Sequence, residues 1–156
     1  MEFLLTTGQI CLIDEIDKDL LEFEWYASHK RKNSTYARRG VNGKIVKIHE
    51  IVADRKGLIR LPGFVIDHAN RNSLDNRRDN IRIVTVSGNN ANREHKPNAM
   101  KYRGVYKNYD KFVAQITINN KVKHLGRFNT KEEAAHAYNI AAQATYGECA
   151  MLNVII

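Results

Sequence analysis

At 156 residues the chain has room for one ordinary domain or two very small ones. Its 43% hydrophobic content supports packed cores, its mean hydropathy of −0.50 marks a soluble chain, and no apolar run approaches the roughly 20 residues of a membrane span. Net charge +8, with a pI near 9.6, points to a polyanionic partner.

The charge is unevenly spread. Residues 1–27 hold seven acids against Lys18, a net of −6; residues 28–99 hold sixteen Lys and Arg against six acids, a net of +10; residues 100–156 are +4. The strongest positive field is therefore in the middle. Met1-Glu2-Phe3-Leu4-Leu5 lacks the basic start and long apolar stretch of a secretory leader, so a cytoplasmic protein is expected. Cys11 and Cys149 stand alone, without the close cluster of soft ligands that a structural zinc site needs. Any metal must be held by oxygen and nitrogen, and both thiols read as small hydrophobes.

In chain order, Phe3–Thr6 and Ile10–Ile13 read as strands around Thr7-Gly8, and Tyr36–Arg39 and Lys44–Ile48 as strands around Asn42-Gly43, a strong hairpin signal. Trp25, the one tryptophan, is the expected anchor of this core. A short helix follows over His49–Arg55, ending by Gly57. Phe64–Asp67 and Ile81–Val84 read as strands flanking a polar loop from Ala69 to Asp79, and Thr85 or Ser87 can cap a helix running to Arg93. Residues 94–101, with Pro97 and Asn98, read as a linker.

Beyond it, Tyr102–Tyr106, Lys111–Ile118 and Val122–Arg127 read as three strands, the latter two joined at Asn119-Asn120. Phe112, Ala114, Ile116 and Ile118 alternate with Val113, Gln115 and Thr117, as one buried and one open face should. Thr130 and Glu133 form a capping box for a helix reaching Tyr146 and stopped by Gly147, with a stripe of Ala134, Ala135, Tyr138, Ala141 and Ala142. The fold class expected is α+β: short N-terminal strands leading into a strand–loop–strand–helix unit, then a three-stranded antiparallel sheet on one helix.

The chemical signal is strongest at Asp67-His68, Asn80 and Asn89. A neutral imidazole can deprotonate water, and carboxylate and amide oxygens suit a hard divalent ion that keeps several waters. Together Val65-Ile66-Asp67-His68, Asn72-Ser73-Leu74-Asp75-Asn76-Arg77-Arg78-Asp79-Asn80-Ile81-Arg82 and the later Asn89 resemble the HNH endonuclease family in its phage homing-enzyme branch. Lys47-Ile48-His49-Glu50-Ile51-Val52 matches the upstream histidine often seen there. The resemblance implies a ββα-metal fold with His68 as general base, Asp67 and Asn89 as ligands of one divalent ion, and Asn80 tying the loop rather than reacting. The last position is Asn where other branches have His, which favours Mg²⁺ or Mn²⁺ over zinc. Arg71, Arg77, Arg78 and Arg82 are the expected phosphate contacts. The nuclease domain is placed at 1–93, with its ββα core at about 64–93.

Residues 102–153 carry Tyr102-Arg103-Gly104-Val105, Lys111-Phe112-Val113-Ala114-Gln115-Ile116, Leu125-Gly126-Arg127-Phe128 and Glu133-Ala134-Ala135-His136-Ala137-Tyr138-Asn139. These resemble the APETALA-type, ethylene-response-factor DNA-binding domain, which lays a three-stranded sheet in the major groove. Arg103, Lys107, Gln115, Thr117, Lys123 and His124 are the DNA-binding residues expected here. Only Arg103 of the family's base-reading positions is retained. Tyr106, Asn108 and Thr117 stand in place of arginines, Tyr109 and His124 in place of tryptophans, and Gln115 in place of a glutamate, so the plant target does not carry over.

The partner implied is double-stranded DNA, with no membrane and a monomer or weak dimer. The function implied is a metal-dependent endonuclease steered by its C-terminal sheet. The competing reading is a DNA-binding protein that does not cut, on a degenerate scaffold.

Overall fold

The computed structural model describes residues 1–29, 35–94 and 100–155; most of the expected linker, residues 95–99, lies outside them. The fold is α+β, and its contacts divide it into two compact units, Met1–Thr85 and Val86–Ile156. The division falls just before the helix expected to run toward Arg93.

In the first unit, β1 (Glu2–Leu4) and β2 (Ile10–Leu12) form a hairpin whose turn uses Gly8 at φ +89°. A 3₁₀ segment, Glu15–Glu22, buries Asp17 and Leu20. A three-stranded antiparallel sheet follows in the order β3 (Tyr26–His29), β4 (Thr35–Val41), β5 (Lys44–Lys47). Asn42 and Gly43 both have positive φ, 49° and 76°, the geometry a two-residue hairpin turn requires.

Helix α1 (Ile48–Arg55) turns Ile48, His49, Val52 and Ala53 inward, four residues that fall on one face at helical spacing. Strands β6 (Phe64–His68) and β7 (Ile81–Thr85) pair antiparallel, with Asp67 opposite Arg82 and His68 opposite Ile81. The core joins Leu5, Cys11, Ile13, Leu20, Trp25, Ala37, Ile48, Val52, Ala53 and Ile81. Trp25 is 1% exposed, and its indole N–H donates to the Leu20 carbonyl at 2.7 Å, so the ring is buried with its polar atom satisfied.

The second unit begins with the short α2 (Val86–Ala91). Strands β8 (Val105–Asn108), β9 (Lys111–Ile118) and β10 (Lys121–Phe128) form a sheet in the order β10-β9-β8. Its two tight turns rely on positive φ at Tyr109 and at Asn119 and Asn120. Helix α3 (Lys131–Tyr146) starts at the full capping box: Thr130 Oγ1 accepts the Glu133 N–H, and the Glu133 carboxylate accepts the Thr130 N–H. Its buried residues, Ala134, Ala135, Tyr138 and Ala142, are mostly small, so the helix lies close on the sheet.

One feature departs from simple alternation. Val113, expected on the open face of β9, is 1% exposed because its cross-strand neighbours Tyr106 and Arg127 flank it on both sides.

Gly104 is the tightest point of this unit. Its φ is +73°, and a Cβ there would stand 2.1 Å from the Tyr138 ring and 2.5 Å from the Gln115 carbonyl oxygen. The Gln115 N–H donates to the Gly104 carbonyl at 2.8 Å, so the backbone cannot retreat without breaking that bond. Gly104→Ala should therefore lower the stability of the second unit by more than about 3 kcal/mol, beyond the range of ordinary substitutions. A thermal melt of the variant that overlays the parent would contradict this packing.

Candidate active site

Asp67 and His68 are the last two residues of β6, and both are buried. The loop that follows is held by its own amides rather than by apolar packing. Asn80 is its clamp: its Oδ1 accepts the Asn70 N–H at 2.9 Å, its Nδ2 donates to the Asp75 carbonyl at 2.6 Å, and its backbone carbonyl accepts the Ala69 N–H. Asn70 and Asn72 each accept a backbone N–H two residues on, the local turn chemistry to which Asn is suited. The loop is also fastened to β2, where Leu12 N–H donates to Leu74 O and Asn76 N–H to Leu12 O.

Asn76 sets the state of the histidine. Its Nδ2 faces the Leu74 carbonyl and Cys11 Sγ, both at 3.2 Å. A carbonyl can only accept, which fixes the amide orientation and turns Oδ1 toward His68 Nε2 at 3.3 Å. That contact favours the tautomer with its proton on Nε2. Burial lowers the His68 pKa from its ordinary value, outweighing Asn76, Asp67 and Asp75, which favour the charged form. The ring is neutral at pH 7, as a base must be.

Two more rings pack around it. His49 meets His68 edge-on with centroids 5.2 Å apart, and Tyr36 lies 4.9 Å from His49 and 6.2 Å from His68. Burial foremost, then His68, Lys47 and Arg60, push the His49 pKa down to about 3. Its Nδ1 has no hydrogen-bond partner among the described residues. Cys11 is buried beside Asn76 and its thiol is pushed up to about 11 by burial, so it stays protonated.

Three of the four arginines expected to meet phosphate are already engaged. Arg77 forks onto Asp75 with two bonds of 2.8 Å, and Arg82 Nε donates to Asp67 Oδ2 at 3.0 Å. Arg78 forks onto Asp17 at 2.9 and 3.0 Å, while its backbone N–H donates to Asp14. Arg71 is exposed and has positive φ, 67°.

In the second unit, α2 carries Asn89, half-buried. Gln115 and His124 are cross-strand partners on the open face, with Thr117 exposed beside them. Lys107 and Lys123 are exposed too, but pair with Phe112 and Ile116 and so belong to the helix side of the sheet. The Arg103 guanidinium donates to carbonyls at the end of α2. Among the described residues no group of three or more His, Cys, Asp or Glu is placed to enclose a metal.

Asn76, Tyr36 and Asp17 are functional partners that the sequence does not single out. Asn76 lies inside the motif but carries no distinctive spacing. For Asp17 a signal existed: an acidic start beside a strongly basic middle suggests that the two pair.

The hairpin with Asp67 and His68 lies within the stretch that comparison with known proteins singles out. Residues 46–91 match the HNH endonuclease family model. The matched residues span α1, the β6–β7 hairpin and α2. An uncharacterised HNH endonuclease of Acanthamoeba polyphaga mimivirus is 32% identical over 91 residues, which cover 58% of this chain and 47% of the relative. The chain thus spans about half the length of that relative. No helix among the described residues is long and apolar enough to cross a membrane.

Asp17 supports the matched stretch from outside it. Its side chain is 0% exposed and receives both Arg78 and Arg55. The Arg78 hydrogen bond foremost, with Arg55, holds its carboxyl below the ordinary 3.8, against the opposing effect of burial. This stabilisation is present above the ordinary value and is lost as pH falls through the lower folded-state value. Asp17→Asn should destabilise the first unit by about 3 kcal/mol or more, since it leaves two arginines facing a buried neutral amide. Urea unfolding at pH 7 and pH 3 measures both effects. The gap between parent and variant should narrow at the lower pH, and an equal gap at both would rule the ion-pair account out.

Proposed function

We propose that this protein is a metal-dependent DNA endonuclease in which His68 activates the attacking water. The observation that carries the reading is a neutral, orientation-fixed imidazole beside a carboxylate at the end of the hairpin within the HNH stretch. Asn76 holds the ring in place, and the neutral imidazole takes the proton from water. Asp67 and Asp75 then stabilise the imidazolium that forms, since both favour its charged form. Asn80 acts by keeping the loop closed over these groups.

The donor chemistry fits a hard ion. Asp67 offers a carboxylate and Asn89 a carboxamide oxygen, whereas Cys11, protonated and bonded to Asn76, supplies no thiolate. We assign Asp67 and Asn89 as the ligands of a Mg²⁺ or Mn²⁺ ion. When bound, such an ion neutralises charge on the phosphate and stabilises the leaving oxygen. Arg71 and other exposed cations of the basic middle segment hold the flanking phosphates.

The C-terminal sheet is the docking element in this reading. Tyr106, Gln115, Thr117, His124 and Arg127 share its open face, which carries no acid, while α3 covers the other. A sheet of this size can enter the major groove, and Gln115 can pair with adenine through two hydrogen bonds.

His68→Ala should lower plasmid nicking by about 10²–10⁴-fold, the usual contribution of a general base. Duplex affinity should stay within about twofold, because phosphate contacts from Lys and Arg dominate affinity. EDTA should abolish nicking by the parent, with Mg²⁺ or Mn²⁺ restoring it. Parental nicking by His68→Ala would remove the base assignment, and undiminished cutting in EDTA would remove the metal.

A further inference from the structure

Arg103 is the one residue that the C-terminal resemblance would assign to reading bases, yet its side chain is occupied elsewhere. Nη1 donates to Ala91 O at 2.8 Å and to Arg93 O at 3.1 Å, and Nη2 donates to Asn90 O at 3.1 Å. Asn90 and Ala91 are the last two residues of α2 and Arg93 follows just beyond, with Asn90 O also accepting the Arg93 N–H at 3.4 Å; a cation at such a C-terminal end is favoured by the helix dipole. The helix supplies no basic residue of its own in its last turn. At six residues it is also far below the length at which a helix holds itself in water. Its stability and direction therefore depend on what grips its end.

The grip is braced. Arg103 N–H donates to Asn153 Oδ1 at 2.6 Å, and Asn153 Nδ2 donates back to Arg103 O at 3.1 Å. Asn153 in turn exchanges two bonds with Asn139 of α3: its N–H donates to Asn139 Oδ1 at 2.8 Å, and Asn139 Nδ2 donates to Asn153 O at 2.9 Å. A continuous set of hydrogen bonds thus runs from the long helix of the C-terminal module, through Asn153 and Arg103, to the residue next to Asn89.

We propose that Arg103 is a positioning residue for the nuclease reaction: it fixes the helix that presents Asn89 and does not read bases. The proposal rests on the reading of Asn89 as an ion ligand. It gives the C-terminal module a second task, holding one ligand of the ion in place as well as docking on DNA. A guanidinium spread over three carbonyls has few donors left for a base edge, and swinging out to a base would strand those carbonyls.

The test uses the full chain with three substitutions, Arg103→Gln, Arg103→Lys and Asn153→Ala. Hydrogen exchange at the Asn92 amide, which donates to Gly88 O, reports the integrity of the α2 end. It should speed up by about tenfold in Arg103→Gln, less in Arg103→Lys, which keeps the charge without the fork, and detectably in Asn153→Ala. The Mn²⁺ concentration for half-maximal nicking should rise by about tenfold in Arg103→Gln, with the rate at saturating Mn²⁺ within about threefold of the parent. Base preference on a randomised duplex should match the parent.

Relaxed preference at one base position with unchanged Asn92 exchange would overturn the proposal and make Arg103 a reader. Faster exchange with unaltered Mn²⁺ dependence would also overturn it, leaving Arg103 a structural cap. Asn89→Ala, run alongside, separates the two levels. If that variant keeps the parental Mn²⁺ dependence, the ligand reading fails, and the positioning role falls with it whatever the exchange shows.

Discussion

Everything at the candidate site depends on satisfying a buried polar loop. Asp75 and Asn76 are each 1% exposed, in a connection between two short strands that has little apolar content of its own. Buried amides and carboxylates are tolerated only when their partners are made, and a half-satisfied network would be worse than an apolar core. Here the partners form a closed set: Asn80 clamps the loop ends, Asn70 and Arg77 satisfy Asp75, and Asn76 is shared among Leu74, Cys11 and His68. The same bonds that close the loop therefore hold the imidazole in place. Closing the loop and fixing the imidazole are one event.

The second constraint is electrostatic. A middle segment of net +10 would repel itself if every cation faced solvent. The acidic start of the chain offsets part of that repulsion, with Asp14, Asp17 and Asp19 reaching Arg78 and Arg55 across more than thirty residues of sequence. These pairs have a structural consequence that net charge conceals. They bolt the 3₁₀ segment to α1 and to the end of the loop, so the arginines serve as ties within the fold. The field available to a polyanion comes instead from exposed side chains such as Lys44, Arg60 and Arg71. Lys56, though exposed, is also committed, donating to the Arg78 and Ile81 carbonyls.

What could be read from sequence follows from how local each signal is. Asn42-Gly43, Asn119-Asn120 and the Thr130–Glu133 box specify backbone geometry within four residues, and the turns and the helix stand where those residues place them. Strand β9 and helix α3 match their expected bounds because periodicity runs through their whole length. Strand β3 went unread: Tyr26-Ala27-Ser28-His29 has neither β-branched residues nor a turn signal, and its pairing with β4 is decided by the sheet. The 3₁₀ segment was hidden in an acid-rich run whose partners lie far along the chain. At the site, the positions of Asp67, His68 and Asn80 on the hairpin were legible from their order. The partners Asn76 and Tyr36 were not, since they and His49, legible only as the motif's upstream histidine, meet His68 only once three separate elements are assembled.

Arg103 shows the same limit from the other direction. A motif records which residue type occupies a position, but a guanidinium answers to whichever acceptors are nearest. In this chain a short helix ends beside it, and the Asn90, Ala91 and Arg93 carbonyls take its donors. Such borrowing follows from size. Small units bury too little apolar surface to stabilise short elements by packing alone, so charged and amide side chains take over the ends of helices and loops. Asn80 does this for the loop, Asp17 for the arginines around it, and Arg103 for α2. In Arg103 a polar residue that looks from sequence like a contact for an external ligand is first a contact within the fold, and its availability to any ligand is set by what would be left unpaired on its release.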